Sequence, residues 1–430
     1  MDLLRSLART LDNPSIPWKS LILTFTLGEY ALESYLSWRQ YRVLSRTTIP
    51  PALRQEISQE TYDKSQAYGR AKAKFGAVSG VFGQVKNWFV ITRDIYPWLW
   101  GVTGAWTKRW FVSSSILGSA GKLGFLGLGG EITHSLLFAF TYAFAETLLS
   151  LPFSYYHTFI LEENFGFNKQ TPLLFLTDLV KGQALSLAFG IPLGAAFLRI
   201  IQVTGEQFFY YLWAFTLVVQ LAAITVYPIL IVPLFNKLTP LPQGELKQRV
   251  EGLASKLEFP LAELQVIDGS KRSAHSNAYF TGLPWKKKIV IYDTLIEKSE
   301  VGEVEAVLAH ELGHWKMGHT TRLLGISSAH LFYVFALFSV FIGNRSLFEA
   351  FGFYGQKPIM IGFILFNEVL SPTDSVVKLL MNILTRKMEF EAGTPFSPPL
   401  YLCLSLPSLL LTPNNLALTR FWEQTLSPTN

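Results

Sequence analysis

Long apolar segments constrain this chain of 430 residues more than any other feature. A membrane-spanning helix needs about 20 mostly apolar residues. Seven segments meet that length approximately: 18–38, 88–106, 132–152, 184–203, 207–235, 323–343 and 359–385. Any one of them could be a buried core helix. Seven together, in a chain that is 50% hydrophobic and 16% charged with mean hydropathy +0.28, predict a polytopic membrane protein. The last segment contains Pro372, which predicts a break there.

The distribution of positive charge predicts the orientation. Loop 39–87 carries nine Lys and Arg residues and loop 236–322 carries twelve, whereas 204–206 has none and 344–358 has two. Positive loops stay on the cytoplasmic side of a membrane. We therefore expect a lumenal N-terminus, a cytosolic segment 236–322, and a lipid bilayer as a permanent partner.

Other features narrow the class of protein. The net charge of +6 is explained by the predicted orientation and by anionic cytoplasmic lipid. We expect no nucleic-acid partner, because no nucleic-acid-binding motif accompanies the charge. The only cysteine, Cys403, excludes an intrachain disulfide. Asn344-Arg345-Ser346 is a glycosylation sequon on the predicted lumenal side.

The segment His310-Glu311-Leu312-Gly313-His314 carries the clearest chemical signal. It lies in 303–318, which has helical composition and no proline. Residues four apart share one face of a helix, so the two imidazoles could hold one Zn²⁺. Glu311 is then placed to act as general base on water. The alternative is two surface histidines on an ordinary helix.

Such a zinc site needs a third protein ligand and an open position for water. Met317 and Thr320 stand where the longer HExxHxxGxxH signature has Gly and His, so that signature is excluded. His319, five residues after His314, is expected to pack against or support the ligands rather than bind the metal. The remaining candidates are the carboxylates of Glu389, Glu391 and Glu368, and helical geometry alone does not choose among them.

The predicted cytosolic segment has an organisation of its own. A polar helix is expected over about 243–257, strands over 264–268 and 288–292, and another helix from Asp293. A small sheet beside a zinc helix has a use, because an extended peptide can add to its edge as a further strand. Asn277 could hold such a peptide. The alternative is a turn residue beside a strand.

Ordered motifs between about residues 18 and 392 make the chain resemble the type I CAAX prenyl proteases, which are membrane zinc metalloproteases of the endoplasmic reticulum. The segments that carry the resemblance are 33–36, 39–41, 151–156, 162–171 and 233–237, and most specifically 270–280 (SKRSAHSNAYF), 293–296 (DTLI) and 310–315 (HELGHW). The resemblance implies about seven transmembrane helices around a chamber, with a zincin-like α+β insert at the cytosolic end. It also implies removal of the last three residues from prenylated CAAX proteins and, in fungi, a second cut in a farnesylated mating-pheromone precursor. The nuclear envelope is a further expected location.

The resemblance also implies roles for single residues. It makes Glu389, with His310 and His314, a ligand of one Zn²⁺ per chain. Asn277 and Tyr279 match the substrate-strand segment, and His275 in the same motif is a third candidate for substrate binding. The expected regions are 1–235 (five spans), 236–322 (the metalloprotease insert) and 323–392 (the last two spans and the third ligand).

The chain departs from the family after Ala392. The family continues with Asp where this chain has Gly393, and its C-terminal segment carries a catalytic-site His and an Arg. Here no histidine follows His330, and 393–430 contain six prolines and two charged residues. We expect an atypical tail and impaired catalysis. The other alternative is a quality-control metalloprotease that cuts membrane proteins without regard to prenyl groups.

Overall fold

A computed structural model describes residues 1–55, 57–109, 130–283 and 285–393. Apart from Gly393, the tail residues that are expected to depart from the family lie outside the described residues. Cys403 lies outside them as well.

Helices dominate the first half of the chain. Their bounds are α1 Asp2–Leu11, α2 Trp18–Leu44, α3 Gln59–Thr92, α4 Ile95–Thr107, α5 Glu131–Tyr156, α6 Pro172–Thr204, α7 Phe208–Val226 and α8 Val232–Phe235. π-helical turns over His157–Glu162 and Tyr227–Ile231 prolong α5 and join α7 to α8. The segment 39–87, expected as a loop, therefore contains most of a 34-residue helix, α3.

A mixed α/β segment follows. It contains β1 Leu238–Pro240, α9 Glu245–Lys256, β2 Leu261–Ile267, β3 Ala278–Leu283, β4 Lys286–Tyr292, α10 Asp293–Lys298 and α11 Val301–Lys316. The strand order is β1-β2-β4-β3, with β2 and β4 parallel and the other two pairs antiparallel. The two strands expected from hydrophobic patterning, β2 and β4, form the centre of the sheet. The two edge strands, β1 and β3, complete it.

The chain then returns to long apolar helices, α12 His319–Phe341 and α14 Ile359–Gly393, separated by the short helix α13 Arg345–Ala350. Four stretches of the described residues are long and apolar enough to cross a membrane: Glu131–Glu162, Pro172–Phe235, His319–Phe341 and Ile359–Gly393. The second of these stretches contains both α6 and α7, with a turn at Gly205 between them.

Two expected spans differ in detail from the structure. Segment 88–106 is not one helix, because the chain breaks at Asp94, which has a positive φ of 52° and forms a salt bridge of 2.5 Å with Lys19. Conversely, α14 runs through Pro372 without ending. The expected break is therefore wrong, since tertiary packing of a helix in a bundle can offset the hydrogen bond that proline removes.

Two apolar cores organise the molecule. The larger one joins α2, α4, α7, α12, α13 and α14 through packed aromatic side chains such as Phe208, Phe338 and Phe366. The smaller one lies between the sheet and helices α9 and α11, around Val250 and Leu308. A fully buried Leu contributes about 1.5–3 kcal/mol relative to an exposed one. These cores fix α11 against the sheet and α14 against the helical bundle.

The sequon asparagine has a structural role. Asn344 is only 2% exposed, and its Nδ2 donates to the Leu11 carbonyl at 2.9 Å. Its Oδ1 accepts from the Leu347 amide at 2.8 Å and so caps α13. A glycan attached to Nδ2 would have to break these contacts, so the folded chain offers no acceptor at this sequon.

Candidate metal centre

Helix α11 carries the HExxH motif, and its sequence explains its bounds. A capping box formed by Glu300 and Glu303 satisfies the first amides of the helix. Its buried positions Val304, Leu308 and Leu312 recur at helical spacing and face the smaller core. His310 and His314 lie on the opposite face of α11.

Three side chains converge on one point above that face. His310 Nε2 lies 3.2 Å from His314 Nε2, and Glu389 Oε2 lies 3.1 Å from the former and 3.6 Å from the latter. One candidate ligand atom from each residue lies within 4.8 Å of the other two. Two imidazole nitrogens and a carboxylate oxygen are a donor set that suits a transition-metal cation. The three residues fit such an ion, and their role as its ligands stays a prediction.

The two rival carboxylates lie elsewhere. Glu391 Oε2 contacts His319 Nε2 at 3.2 Å, and Glu368 accepts a hydrogen bond of 3.0 Å from the Tyr96 hydroxyl. Of the three acidic residues that the sequence left open, only Glu389 therefore joins the imidazole pair.

A glycine lets the two helices of the site approach closely. Gly313 of α11 lies against the backbone of Ala392 in α14, and a Cβ at this position would overlap the Ala392 carbonyl oxygen. This contact brings the last turns of α14, and with them Glu389, over the two histidines. The glycine inside the motif is thus required by packing between helices.

Glu311 lies beside the cluster on α11 but does not take part in it. Burial raises the pKa of its carboxyl above the ordinary value, while the neighbouring His310 and His314 oppose that shift. A carboxylate with a raised pKa is a better proton acceptor, which suits the expected general base.

The expected substrate residues Asn277 and Tyr279 lie at the start of the edge strand β3, which packs against α11. The Asn277 side chain is exposed, and its Oδ1 accepts from the Ala278 amide at 2.8 Å. Its carbonyl accepts from the Tyr292 amide at 3.0 Å, which pins this end of β3 to β4. Tyr279 is half-buried, with its ring 6.5 Å from that of Tyr292. Substrate binding by either residue stays a prediction.

The third expected substrate residue, His275, has other neighbours. Its Nε2 lies 3.3 Å from Glu162 Oε2, and its ring stacks on Phe167 at 4.3 Å. Thr294 Oγ1 donates to its carbonyl at 3.0 Å. The structure thus places His275 in a contact between the π-helical turn after α5 and the segment before β3. Its role toward substrate stays a prediction.

That contact belongs to a larger junction, in which segment 162–178 packs against segment 271–276. We call it the insert junction. Arg272 donates two hydrogen bonds to Asp178, at 2.8 and 3.0 Å, and Asn168 and Ser273 form an isolated antiparallel bridge. Sequence reasoning did not identify Asp178 or Glu162, because the contacts join residues about a hundred positions apart and leave no local pattern.

The fold and this cluster together define an integral-membrane metallopeptidase. Residues 40–237 match the family model described as CAAX prenyl protease N-terminal, five membrane helices, and residues 240–394 match peptidase family M48. The chain belongs to this family of metallopeptidases. The expected polytopic helical fold with a small catalytic sheet is therefore confirmed.

Named relatives are similar over most of their length. The chain is 41% identical to CAAX prenyl protease 1 of Saccharomyces cerevisiae, with 89% of this chain and 85% of the relative covered. It is 38% identical to the CAAX prenyl protease 1 homolog of Mus musculus, with 86% and 83% covered. The crystal structure of S. mikatae Ste24p matches with a TM-score of 0.82 at 39% identity, covering 95% of this chain and 93% of that one.

Proposed function

We propose that the chain is a zinc endopeptidase that removes the C-terminal tripeptide from prenylated CAAX proteins. The observation that carries the proposal is the convergence of His310, His314 and Glu389 next to Glu311 and the edge strand β3. The names of the relatives supply the substrate class. Because relatives from fungi are among them, a second cut in a farnesylated pheromone precursor belongs to the same proposal.

The residues would divide the chemistry between them. His310, His314 and Glu389 would hold Zn²⁺, which when bound acts as a Lewis acid toward water and the peptide carbonyl. Glu311 takes the proton of the attacking water and delivers it to the amine nitrogen of the leaving tripeptide. Because Glu311 is partly buried, few solvent molecules can compete with the substrate for contact with its carboxylate.

The substrate peptide would bind along β3. Only one edge of this strand is paired with another strand among the described residues, so backbone donors and acceptors of the other edge are available to an extended peptide. Asn277 at the start of β3 would hold the peptide backbone. The membrane helices beside the insert would give the prenyl chain an apolar environment.

The proposed location is the endoplasmic reticulum membrane and the nuclear envelope, with the metal centre on the cytosolic side. The excess of Lys and Arg in 39–87 and 236–322 supports the orientation. The compartment is proposed from the family resemblance, and the family model with five membrane helices supports a membrane location.

The test uses the full chain in lipid vesicles with a farnesylated CAAX peptide and the same peptide without its prenyl group. We expect release of the tripeptide from the first only, and none with Glu311→Gln. Equal cleavage of both peptides would favour the quality-control alternative. Failure of the wild-type chain to bind zinc would overturn the proposal.

A further inference from the structure

His319 is a buried histidine for which the proposed reaction has no task. It is 2% exposed at the start of α12, yet both of its ring nitrogens have partners. Its Nδ1 lies 2.9 Å from His314 Nδ1, and its Nε2 lies 3.2 Å from Glu391 Oε2. The carboxylate of Glu391, His319 and His314 thus form a continuous chain that ends at the metal cluster.

The position of His314 determines how protons are distributed along this chain. His314 faces the cluster with Nε2, since that atom is the one close to His310 Nε2 and Glu389 Oε2. A ligand nitrogen must be unprotonated, so the proton of a neutral His314 is on Nδ1. That N–H donates to His319 Nδ1, which must therefore be an acceptor. The proton of His319 is then on Nε2 and donates to Glu391.

Two cationic side chains lie beside the carboxylate of Glu391, at the far end of the chain. Arg322 Nη1 and Lys387 Nζ each lie 3.7 Å from one of its carboxylate oxygens. A charged acceptor strengthens the hydrogen bond that it receives.

We propose that His319 and Glu391 are positioning residues that hold His314 in the tautomer and ring orientation required for metal binding. The inference rests on the proposed function, because it assumes that His314 binds the metal. Metal-binding histidines commonly donate their second N–H to a carboxylate or a carbonyl, and loss of that partner costs about 10- to 100-fold in metal affinity. Here a second imidazole stands between the ligand and the carboxylate.

The experiment measures the affinity of the full chain in detergent for Zn²⁺, by competition with a chelator. Four variants are compared with the wild type: His319→Leu, His319→Asn, Glu391→Gln and Lys378→Gln. We expect His319→Leu to weaken Zn²⁺ binding about 10- to 100-fold and Glu391→Gln to weaken it by a smaller factor. His319→Asn should bind more tightly than His319→Leu, because its amide oxygen can accept from His314 Nδ1.

Lys378→Gln is the matched control, since Lys378 is an exposed lysine of the same helix α14, eleven residues before Glu389; we expect wild-type affinity. The visible spectrum of the Co²⁺-loaded chain provides a second measurement. It should change in His319→Leu and not in the control, because it reports the geometry around the ion.

The outcomes separate this inference from the proposed function. A wild-type chain that binds no Zn²⁺ would overturn both. Wild-type binding together with unchanged affinity in folded His319→Leu would overturn the inference alone. If His319→Leu does not fold, Glu391→Gln decides, because its side chain is 27% exposed and the substitution keeps its shape. Unchanged affinity in that variant would then overturn the inference.

Discussion

Each residue of the metal cluster contributes one acceptor atom, and two different structural constraints bring these atoms together. The helical repeat of α11 aligns His310 with His314, whereas Glu389 reaches them only through packing of α14 against α11. Glu311 is on the same helix as the histidines but makes no hydrogen bond with them. The proposed roles of metal ligand and proton acceptor therefore belong to different residues, and substitutions can separate them.

Glu311→Gln is expected to keep zinc and to lose peptide cleavage by about 10²- to 10⁴-fold, because the proton acceptor is removed while the three ligands remain. His310→Ala is expected to lose the zinc itself. Zinc content of the purified chain and turnover of a farnesylated CAAX peptide are the two measurements. Substantial turnover by Glu311→Gln would contradict the assigned role.

Gly313→Ala is expected to destabilise the site, because the added Cβ overlaps the Ala392 carbonyl and pushes α14 away from α11. Overpacking of this kind costs about 1–3 kcal/mol. We expect weaker zinc binding and a lower Tm. Gly302→Ala is the matched control on the same helix, since a Cβ there meets nothing within 4 Å. Identical behaviour of the two variants would show that the close approach is unimportant.

At the scale of elements, the sequence pattern predicted those helices and strands whose formation depends mainly on residues close together in the sequence. Apolar periodicity placed α11 and the central strands β2 and β4 correctly. It did not predict β3 as a full strand, because β3 is defined by its pairing with β4, which is a tertiary contact. It also did not detect the interruption at Asp94, because hydropathy averages over a window and is insensitive to one turn. Helical geometry could not choose between Glu389 and Glu391; the family resemblance implied Glu389, and the packing of α14 against α11 brings this residue to the histidines.

The insert junction leads to a prediction about the stability and the turnover of the chain. Asp178→Arg should lower both stability and turnover, since Arg272 is left without its bidentate partner; hydrogen bonds to charged groups contribute about 1.5–3 kcal/mol. The double variant Asp178→Arg with Arg272→Asp should recover part of both. Tm and kcat/KM are measured for each. Arg249→Gln, which breaks a more exposed pair with Glu305, is the control and should change little.

Asn277→Ala is expected to weaken turnover without loss of metal, because the residue lies at the start of β3 and not in the metal cluster. The effect should be mainly on KM if the amide holds the peptide backbone in the ground state and the transition state alike. Steady-state kinetics and zinc content check this. Unaltered kinetics would argue that Asn277 is only a residue of the strand terminus.

At the scale of the whole molecule, the departure of the tail from the family pattern stays a prediction, because the residues after Gly393 lie outside the described part of the chain. We expect the chain as it stands to cleave a farnesylated CAAX peptide more slowly than a chimera whose residues after Ala392 follow the family pattern. Loss of one donor to the developing oxyanion typically costs about 10²- to 10³-fold in rate. Equal rates for the two chains would show that the tail is a functional substitute.

The division of the metal cluster between α11 and the end of α14 has a consequence for biosynthesis. Ribosomes make His310 and His314 well before Glu389, and α14 must enter the bilayer before its last turns can meet the insert. A partly made chain therefore contains the proposed general base and two histidines but an incomplete cluster. Hydrolytic competence would arise only when membrane insertion is finished, so that unfinished copies cannot digest their neighbours at the translocation site.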